Sequence, residues 1–201
     1  MKAKKEMEII KYFKASGGVL RHSDIEKKGF HHQYLSSLQK KGKIEKINRG
    51  LYKLKEYEPD NNLDLVYASL QSAKGVVCLI SALSFHEITD EIPSEVQMAI
   101  PKGSRRNLIT YPKVRFYNFS KKTWEAGIEE IKESGHTFKV YSAAKTIADC
   151  IKFRSQIGMD VVINAIKRSL NENKADLLEI YKYTELCRVD KIARPILEVL
   201  I

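Results

Sequence analysis

Residues 23–54 read SDIEKKGFHHQYLSSLQKKGKIEKINRGLYKL, and their spacing of polar and apolar residues predicts two short helices followed by a hairpin. Ser23 and Glu26 have the spacing of a capping box, which predicts that a helix begins at Ser23. Gly29 predicts the end of that helix. A second helix is expected from about His31 to Lys41. The turn between the two helices is therefore short and contains a glycine, as in a helix-turn-helix.

The hairpin is the next feature along the chain. Residues 43–47 and 51–54 alternate apolar with polar, as the two strands of an antiparallel pair do. Asn48 and Gly50 lie between the strands and permit a tight turn. Arg49 is therefore expected at the tip of the hairpin.

The residues before this stretch complete a known pattern. Apolar residues at helical spacing predict a helix over 6–14, which ends at Gly17. Val19 and Leu20 follow as a short extended segment. The order helix, short strand, helix, turn, helix and hairpin is that of a winged helix-turn-helix, whose third helix enters the major groove of DNA.

The third helix and the hairpin, or wing, carry the candidate DNA-contacting residues. Tyr34, Leu35 and Leu38 are expected to face inward, which leaves donors and acceptors outward that can contact base edges or phosphates. The predicted DNA-binding residues are Ser23, His31, His32, Gln33, Ser36, Ser37, Gln39, Lys40, Lys46, Asn48 and Arg49. The alternatives are a winged helix that contacts protein or covers the second domain, and a histidine pair that senses pH or is simply solvated.

Charge is concentrated in the same segment. Residues 1–55 hold 15 Lys or Arg and five Asp or Glu, whereas residues 56–201 hold 20 of each. The whole net charge of +10 therefore lies in the first quarter of the chain. Such segregation favours a polyanionic partner, and the order of the helices favours double-stranded DNA over anionic lipid.

The composition argues against several other classes of protein. The charged start MKAKKEMEIIKYF lacks the apolar run of a signal peptide, and no stretch approaches the roughly 18 consecutive apolar residues of a membrane span. Cys78, Cys150 and Cys187 are far apart and odd in number, which predicts buried, reduced thiols in a cytoplasmic protein. No metal site and no cofactor are expected.

The predicted fold class is α+β, with three consecutive segments. A winged helix-turn-helix covers residues 1–55, an acidic linker with Pro59 covers 56–64, and a mixed α/β domain that ends in several helices covers 65–201. Within and just before this last segment, helices are predicted over 63–70, 75–87, 142–153, 159–170, 174–187 and 189–200, and strands over 95–100, 114–119, 128–132 and 137–141. A basic loop, PKGSRRNLITYPK, joins the first two of these strands.

No residue pattern for catalysis is evident. The chain contains no P-loop, no GxGxxG after a strand, no HExxH and no GxSxG. Glu130 and Lys132 have the acid-x-Lys spacing of some nucleases, but no acidic partner precedes them on a strand, and a charged strand edge also explains them. We therefore expect no catalytic residues and no enzymatic activity.

Several blocks of the sequence resemble the AbiEi family of antitoxins. In the second domain these are VVCLISALSFHEITDEIP (76–93), AIPKG (99–103) and YSAAKTIADCIKFRSQIGMDVVINAIKRSL (141–170). In the first domain they are GGVLRHSDIEKKG (17–29) and RGLYKL (49–54). The resemblance covers nearly the full chain, and the two long blocks are specific.

The resemblance implies a function for each domain. Members of the family belong to type IV toxin–antitoxin systems, which act in abortive infection and phage defence. Their winged helix binds inverted repeats in their own promoter and represses transcription, and their C-terminal domain counteracts a nucleotidyltransferase-like toxin without requiring a stable complex. The residues of the second domain that fall in family-like blocks, and are antitoxin-domain candidates, are Ser81, His86, Lys145, Asp149, Lys152 and Arg154.

Several functions compete at this point. The leading hypothesis is an autorepressor with antitoxin activity. The alternatives are a nuclease or transferase that a winged helix directs to nucleic acid, a transcription regulator without an antitoxin role, and a module whose second domain clamps a partner toxin.

Overall fold

A computed structural model describes residues 2–57, 62–133 and 135–200. It is a mixed α and β structure with a small sheet near the N-terminus, a larger mixed sheet after it and helices at the C-terminal end. The predicted fold class is confirmed.

The first domain has the element order of a winged helix. Its elements are α1 (Lys2–Ala15), β1 (Val19–Arg21), α2 (His22–Lys27), α3 (His32–Lys40), β2 (Ile44–Asn48) and β3 (Leu51–Leu54). β3 lies in the middle of the sheet and pairs antiparallel with both β1 and β2. The short strand and the hairpin predicted from the sequence therefore form one sheet.

The capping box predicted at Ser23 is wrong. α2 begins one residue earlier, at His22, and its N-cap residue is Arg21, whose side chain makes no capping hydrogen bond. The strand pairing explains this start, because His22 N donates to the carbonyl oxygen of Gly50 at 2.7 Å and so extends the β1–β3 ladder into the first residue of α2. Arg21 places its Nε 3.0 Å from Asp24 Oδ2 instead.

The apolar face of α3 packs into the core of the first domain. Leu35 and Leu38 are each 1% exposed and belong to one cluster with Ile9 and Phe13 of α1 and Ile25 of α2. Burying an aliphatic side chain of this size contributes about 1.5–3 kcal/mol. This burial determines which face of α3 is turned to solvent.

The second domain combines a five-stranded sheet with helices. Its elements are α4 (Leu63–Gln71), β4 (Val76–Val77), α5 (Leu79–Phe85), β5 (Val96–Pro101), β6 (Val114–Phe119), α6 (Lys121–Glu125), β7 (Ile128–Glu133), β8 (His136–Tyr141), α7 (Ala143–Lys152), α8 (Arg154–Ile157), α9 (Met159–Asn171), α10 (Leu177–Leu186) and α11 (Asp190–Leu200). The strand order is β6-β5-β4-β8-β7; β5 is parallel to β6 and β4 to β8, while the other pairs are antiparallel.

The structure differs from the predicted elements at three places. The helix predicted over 75–87 is wrong in its first part, where β4 pairs with β5 and β8, because a short apolar run does not distinguish a buried strand from a helix. The short helices α6 and α8 were not predicted. Residues 58–61 of the predicted linker lie outside the described residues, and its last two residues belong to α4. The functional division at these boundaries stays a prediction.

The two domains pack against each other. Val19 of β1, Leu51 of β3 and Tyr67 of α4 form a cluster in which each residue is at most 2% exposed. A second contact lies at the β7–β8 turn, where a Cβ on Gly135 would come within 3.0 Å of the backbone nitrogen of Gly17. The small sheet is thus covered by the second domain on one side.

A buried ion pair lies in the core of the second domain. Lys145 and Asp149 are one turn apart on α7 and 0% and 1% exposed, with Nζ 2.5 Å from Oδ2. Cys187 Sγ donates to the other carboxylate oxygen at 3.3 Å, and the rings of Tyr141 and Phe119 have their centroids 4.2 and 5.0 Å from Nζ. Burial raises the pKa of the Asp149 carboxyl, and the neighbouring Lys145 counteracts this rise.

We expect Lys145→Met to lower the free energy of unfolding by about 3–5 kcal/mol, because it leaves a buried carboxylate without its partner. The pKa of Asp149 in the folded variant should then lie still further above the unfolded value of about 3.9. The folded variant would then bind the proton of the Asp149 carboxyl more tightly than the unfolded chain does. The free energy of unfolding should therefore fall as pH rises between the unfolded and the folded pKa of Asp149. Urea unfolding at pH 5 and pH 8 measures both effects.

The control for this substitution is Lys145→Met combined with Asp149→Leu. The double variant removes both charges and should recover most of the loss, as apolar replacements of buried ion pairs do. A single-variant loss below about 1 kcal/mol, with no dependence on pH, would contradict a structural role for the pair.

Candidate nucleic-acid interface

The outward face of α3 presents polar side chains to solvent. His31, His32, Gln33, Gln39 and Lys40 are exposed, in agreement with the buried positions of the leucines on the opposite face. Uncharged donors and acceptors at such positions suit the reading of base edges, while the lysine suits a phosphate contact. Their role in binding stays a prediction.

Two serines on α3 are engaged within the first domain. The hydroxyl of Ser37 donates to Glu6 Oε1 of α1 at 2.7 Å, and Lys41 Nζ lies 2.5 Å from the other carboxylate oxygen. Ser36 Oγ lies 3.5 Å from His32 Nδ1. Ser37 therefore holds α3 against α1, and its hydroxyl is directed to the protein interior.

The wing has two exposed cations and one internal contact. Lys46 and Arg49 are exposed. Asn48, in contrast, accepts from Arg49 N at 2.7 Å and from Thr110 Oγ1 at 2.8 Å, while its amide group donates to Gln71 Oε1. Since both polar atoms of Asn48 have partners, two of them in the second domain, this side chain positions the wing.

A groove of about 750 Å³ lies between the wing and the second domain. We call it the interdomain groove. Four arginines line it: Arg21 from the end of β1, Arg49 from the wing, and Arg105 and Arg106 from the loop over residues 102–113. Ser23 lines it as well. Among the described residues, the side chains of Arg49, Arg105 and Arg106 form no ion pair, so their charges are available to an anion.

The loop over 102–113 is held against α4 and the wing. Gln71 donates from Nε2 to the carbonyl oxygen of Tyr111 at 3.0 Å, and Asn107 donates to the carbonyl oxygen of Gln71 at 2.5 Å. The pKa of the Tyr111 phenol is raised, mainly because the phenol is desolvated and to a smaller extent because Asp64 is close to it. The sequence showed this loop to be basic, but only the packing places its arginines beside the wing.

Four of the six antitoxin-domain candidates use their polar side-chain atoms in hydrogen bonds or ion pairs within the second domain. Ser81 Oγ accepts from Gln97 N at 2.9 Å, and His86 Nε2 donates to the carbonyl oxygen of Tyr141 at 2.7 Å. The other two are the buried pair of α7 described above. Ser81, Lys145 and Asp149 therefore stabilise the interior of the second domain, while His86 is partly exposed.

The remaining two candidates lie near the C-terminal end of α7. Arg154 is partly buried and donates to the carbonyl oxygen of Ile151 at 3.2 Å. Lys152 is exposed and, within the described part of the chain, its side chain makes no hydrogen bond or ion pair. Lys152 is thus the candidate whose charge faces solvent.

Sites for metals or membranes are not evident in the described residues. Within 2–57, 62–133 and 135–200, no three His, Cys, Asp or Glu side chains are grouped in a way that could hold a metal ion. None of the helices there is long and apolar enough to cross a bilayer. Glu130, considered above for a nuclease, places Oε1 3.7 Å from Lys139 Nζ on the neighbouring strand.

The order of elements, the exposed face of α3 and the basic wing all lie within the first quarter of the chain, and a family model matches this part. Residues 7–55 match the family described as "Transcriptional regulator, AbiEi antitoxin". The resemblance to AbiEi proteins is confirmed in these residues, which run from α1 to the end of the wing. The match indicates a transcriptional regulator or antitoxin. No curated protein matches the chain significantly.

We expect Ser37→Ala to destabilise the protein by about 1 kcal/mol, because it removes a hydrogen bond to a charged, buried acceptor. Gln33→Ala and Ser36→Ala are matched controls on the same helix and should change the free energy of unfolding by less than about 0.5 kcal/mol. Urea unfolding of the full chain measures all three. Equal losses in the three variants would show that the contact with Glu6 has no special role.

Proposed function

We propose that this protein is a non-catalytic antitoxin that represses its own operon by binding inverted repeats in the promoter. The observation that carries the DNA-binding half is the groove to which both domains contribute arginines. The exposed residue His32 of α3 contacts His22 in the lining of this groove, with the two ring centroids 5.3 Å apart. The family match over residues 7–55 supports the same reading.

In the proposed complex α3 enters the major groove of double-stranded DNA. Gln33 and Gln39 are exposed amides that can pair with base edges, and Lys40 at the end of the helix contacts a phosphate. Ser37 is not a reader here, because its hydroxyl donates to Glu6. Base reading therefore depends on the amides, His31, His32 and the partly exposed Ser36.

The wing and the interdomain groove hold the phosphate backbone in this proposal. Arg49 lies at the tip of the wing and lines the groove together with Arg105 and Arg106. Arginine binds phosphate through paired N–H groups, and several such contacts give strong, salt-dependent affinity. The second domain thus contributes to DNA binding in addition to its own function.

That second function is to counteract a toxin. We propose that the second domain opposes a nucleotidyltransferase-like toxin in the cytoplasm, during abortive infection and phage defence, without forming a stable complex. The resemblance of residues 76–93 and 141–170 to AbiEi proteins supports this assignment. Because Ser81, Lys145 and Asp149 of these blocks are buried, we assign these three side chains to stabilising the fold of the domain and not to contacts with the toxin.

For DNA binding, we expect Arg49→Ala to weaken binding to specific and random DNA alike and to reduce the slope of log affinity against log salt by about 1. Gln33→Ala should lower affinity for the operator by about 1–3 kcal/mol and leave binding to random DNA unchanged. A gel shift on the upstream region of the gene, at several salt concentrations, measures both.

The control is Lys11→Ala. Lys11 is an exposed cation of α1, on the side of the helix opposite to the one on which Ile9 and Phe13 pack. Its replacement by alanine should leave DNA binding unchanged. If the wild-type chain retains an inverted-repeat fragment no better than random DNA, sequence-specific repression is wrong.

For antitoxin activity, we expect the full-length variant with both Gln33→Ala and Arg49→Ala to lose repression but to keep antitoxin function, because neither side chain belongs to the second domain. Expressed from an unrelated promoter, this variant should restore growth to cells that express the neighbouring toxin gene. A reporter fused to the native promoter measures repression in the same cells. Loss of rescue at normal protein abundance would contradict the separation of the two functions.

A further inference from the structure

A second cleft lies on the second domain and shares no lining residue with the interdomain groove. It has a volume of about 400 Å³ and is formed where α6, the end of α7 and the turn after α10 meet. An adjoining cavity of about 610 Å³ shares Lys122, Glu185 and Leu186 with it. Together the two have the size of a site for a small organic ligand.

The cleft is positively charged although the domain that contains it is neutral. Lys122, Lys152 and Arg188 line it, and Glu185 is the one acidic residue of its described lining. In the described part of the chain the side chains of these three cations make no hydrogen bond or ion pair. Unpaired cations that converge on a concave surface concentrate positive potential and favour an anionic ligand.

The backbone at Arg188 places this residue in the wall of the cleft. Arg188 follows α10 with φ +59°, a left-handed conformation, and its amide donates to the carbonyl oxygen of Glu185 at 3.0 Å. Glu87 and Asn173 have the same conformation after α5 and α9, so it is a helix ending that this domain uses repeatedly. Glycine is the favoured residue at such a helix end, because a side chain there costs free energy.

The base of the cleft is rigid. Cys187 is 2% exposed and donates to Asp149, and Thr123 is 6% exposed and bonds to Ser120. The wall is therefore connected to the buried ion pair of α7, and its geometry exists before any ligand binds. A preformed site loses less entropy on binding than a mobile one.

The adjoining cavity has a different chemistry. Tyr183 and Leu186 of α10 and Ala126 line it, with Lys182 at its edge. The apolar part of this lining, where Tyr183 is 8% exposed, suits one face of a flat group, whereas the cleft beside it suits phosphates. We propose that the two cavities together bind a nucleotide, with its phosphates on Lys122, Lys152 and Arg188 and its base against Tyr183 and Leu186.

Calorimetric titration of the full-length protein with ATP, UTP and inorganic triphosphate tests this site. The wild-type chain should bind at least one nucleotide saturably, and more tightly than it binds inorganic triphosphate, because the latter has no base. Lys152→Gln and Arg188→Gly should each weaken nucleotide binding at least tenfold. Lys121→Gln is the matched control, since Lys121 lies next to Lys122 on α6 but pairs with Glu125 and does not line the cleft.

The Arg188→Gly variant separates loss of the site from loss of the fold. Glycine relieves the left-handed strain, so this variant should melt at a higher temperature than the wild-type chain while binding nucleotide more weakly. Its binding to the operator should be unchanged, which makes failure of this proposal distinguishable from failure of the proposed repression.

Four results would overturn the proposal. These are no saturable binding of either nucleotide by the wild-type chain, equal weakening by Lys121→Gln, inorganic triphosphate binding as tightly as the nucleotides, and displacement of the bound nucleotide by duplex DNA. The last would make the cleft part of the DNA surface.

Discussion

The packing of Tyr67 against the small sheet determines the geometry of the surface that we propose binds DNA. Tyr67 is buried with Val19 and Leu51, and burial of the ring raises the pKa of its phenol. Because β1 and β3 are covered in this way, the wing that follows β2 is not free to move independently of α4. The hydrogen bonds of Asn48 with Gln71 and Thr110 then hold the tip of the wing beside the arginines of the 102–113 loop. Without the apolar contact these polar bonds would compete with water and contribute little.

Buried polar residues stabilise parts of the second domain that resemble AbiEi proteins. The long block over 141–170 includes Lys145 and Asp149, a pair that requires compensation by hydrogen bonds because desolvation of each charge is costly. Cys187, from a helix far along the chain, supplies one of these bonds. Such a network tolerates few substitutions, because each one leaves a buried polar group without its partner. The exposed residues that we assign to nucleotide binding, Lys122, Lys152 and Arg188, do not belong to this network but lie next to it.

Local periodicity predicted most elements of the fold correctly. Leu35 and Leu38, which are one helical turn apart, predicted the buried face of α3. The alternation of apolar with polar residues predicted the strands β5 to β8. The capping box at Ser23 failed because pairing of β1 with β3 continues into α2 and moves its start. The DNA-facing role predicted for Ser37 and Asn48 rested on their positions along the chain. The structure gives both side chains partners inside the protein, through contacts 31 and 23 residues apart.

The sequence by itself determined the order of the elements in the first domain, the location of the net charge of +10 in the first 55 residues and the inward face of the third helix. These features depend on residues within a few positions of one another, and such spacings can be read directly. Tertiary structure alone decided that Arg105 and Arg106 lie beside Arg49, that Asn48 positions the wing and that Lys122, Lys152 and Arg188 line one cleft. Those groupings arise from the packing of helices and strands distant in the chain, for which a single sequence carries no periodic signal.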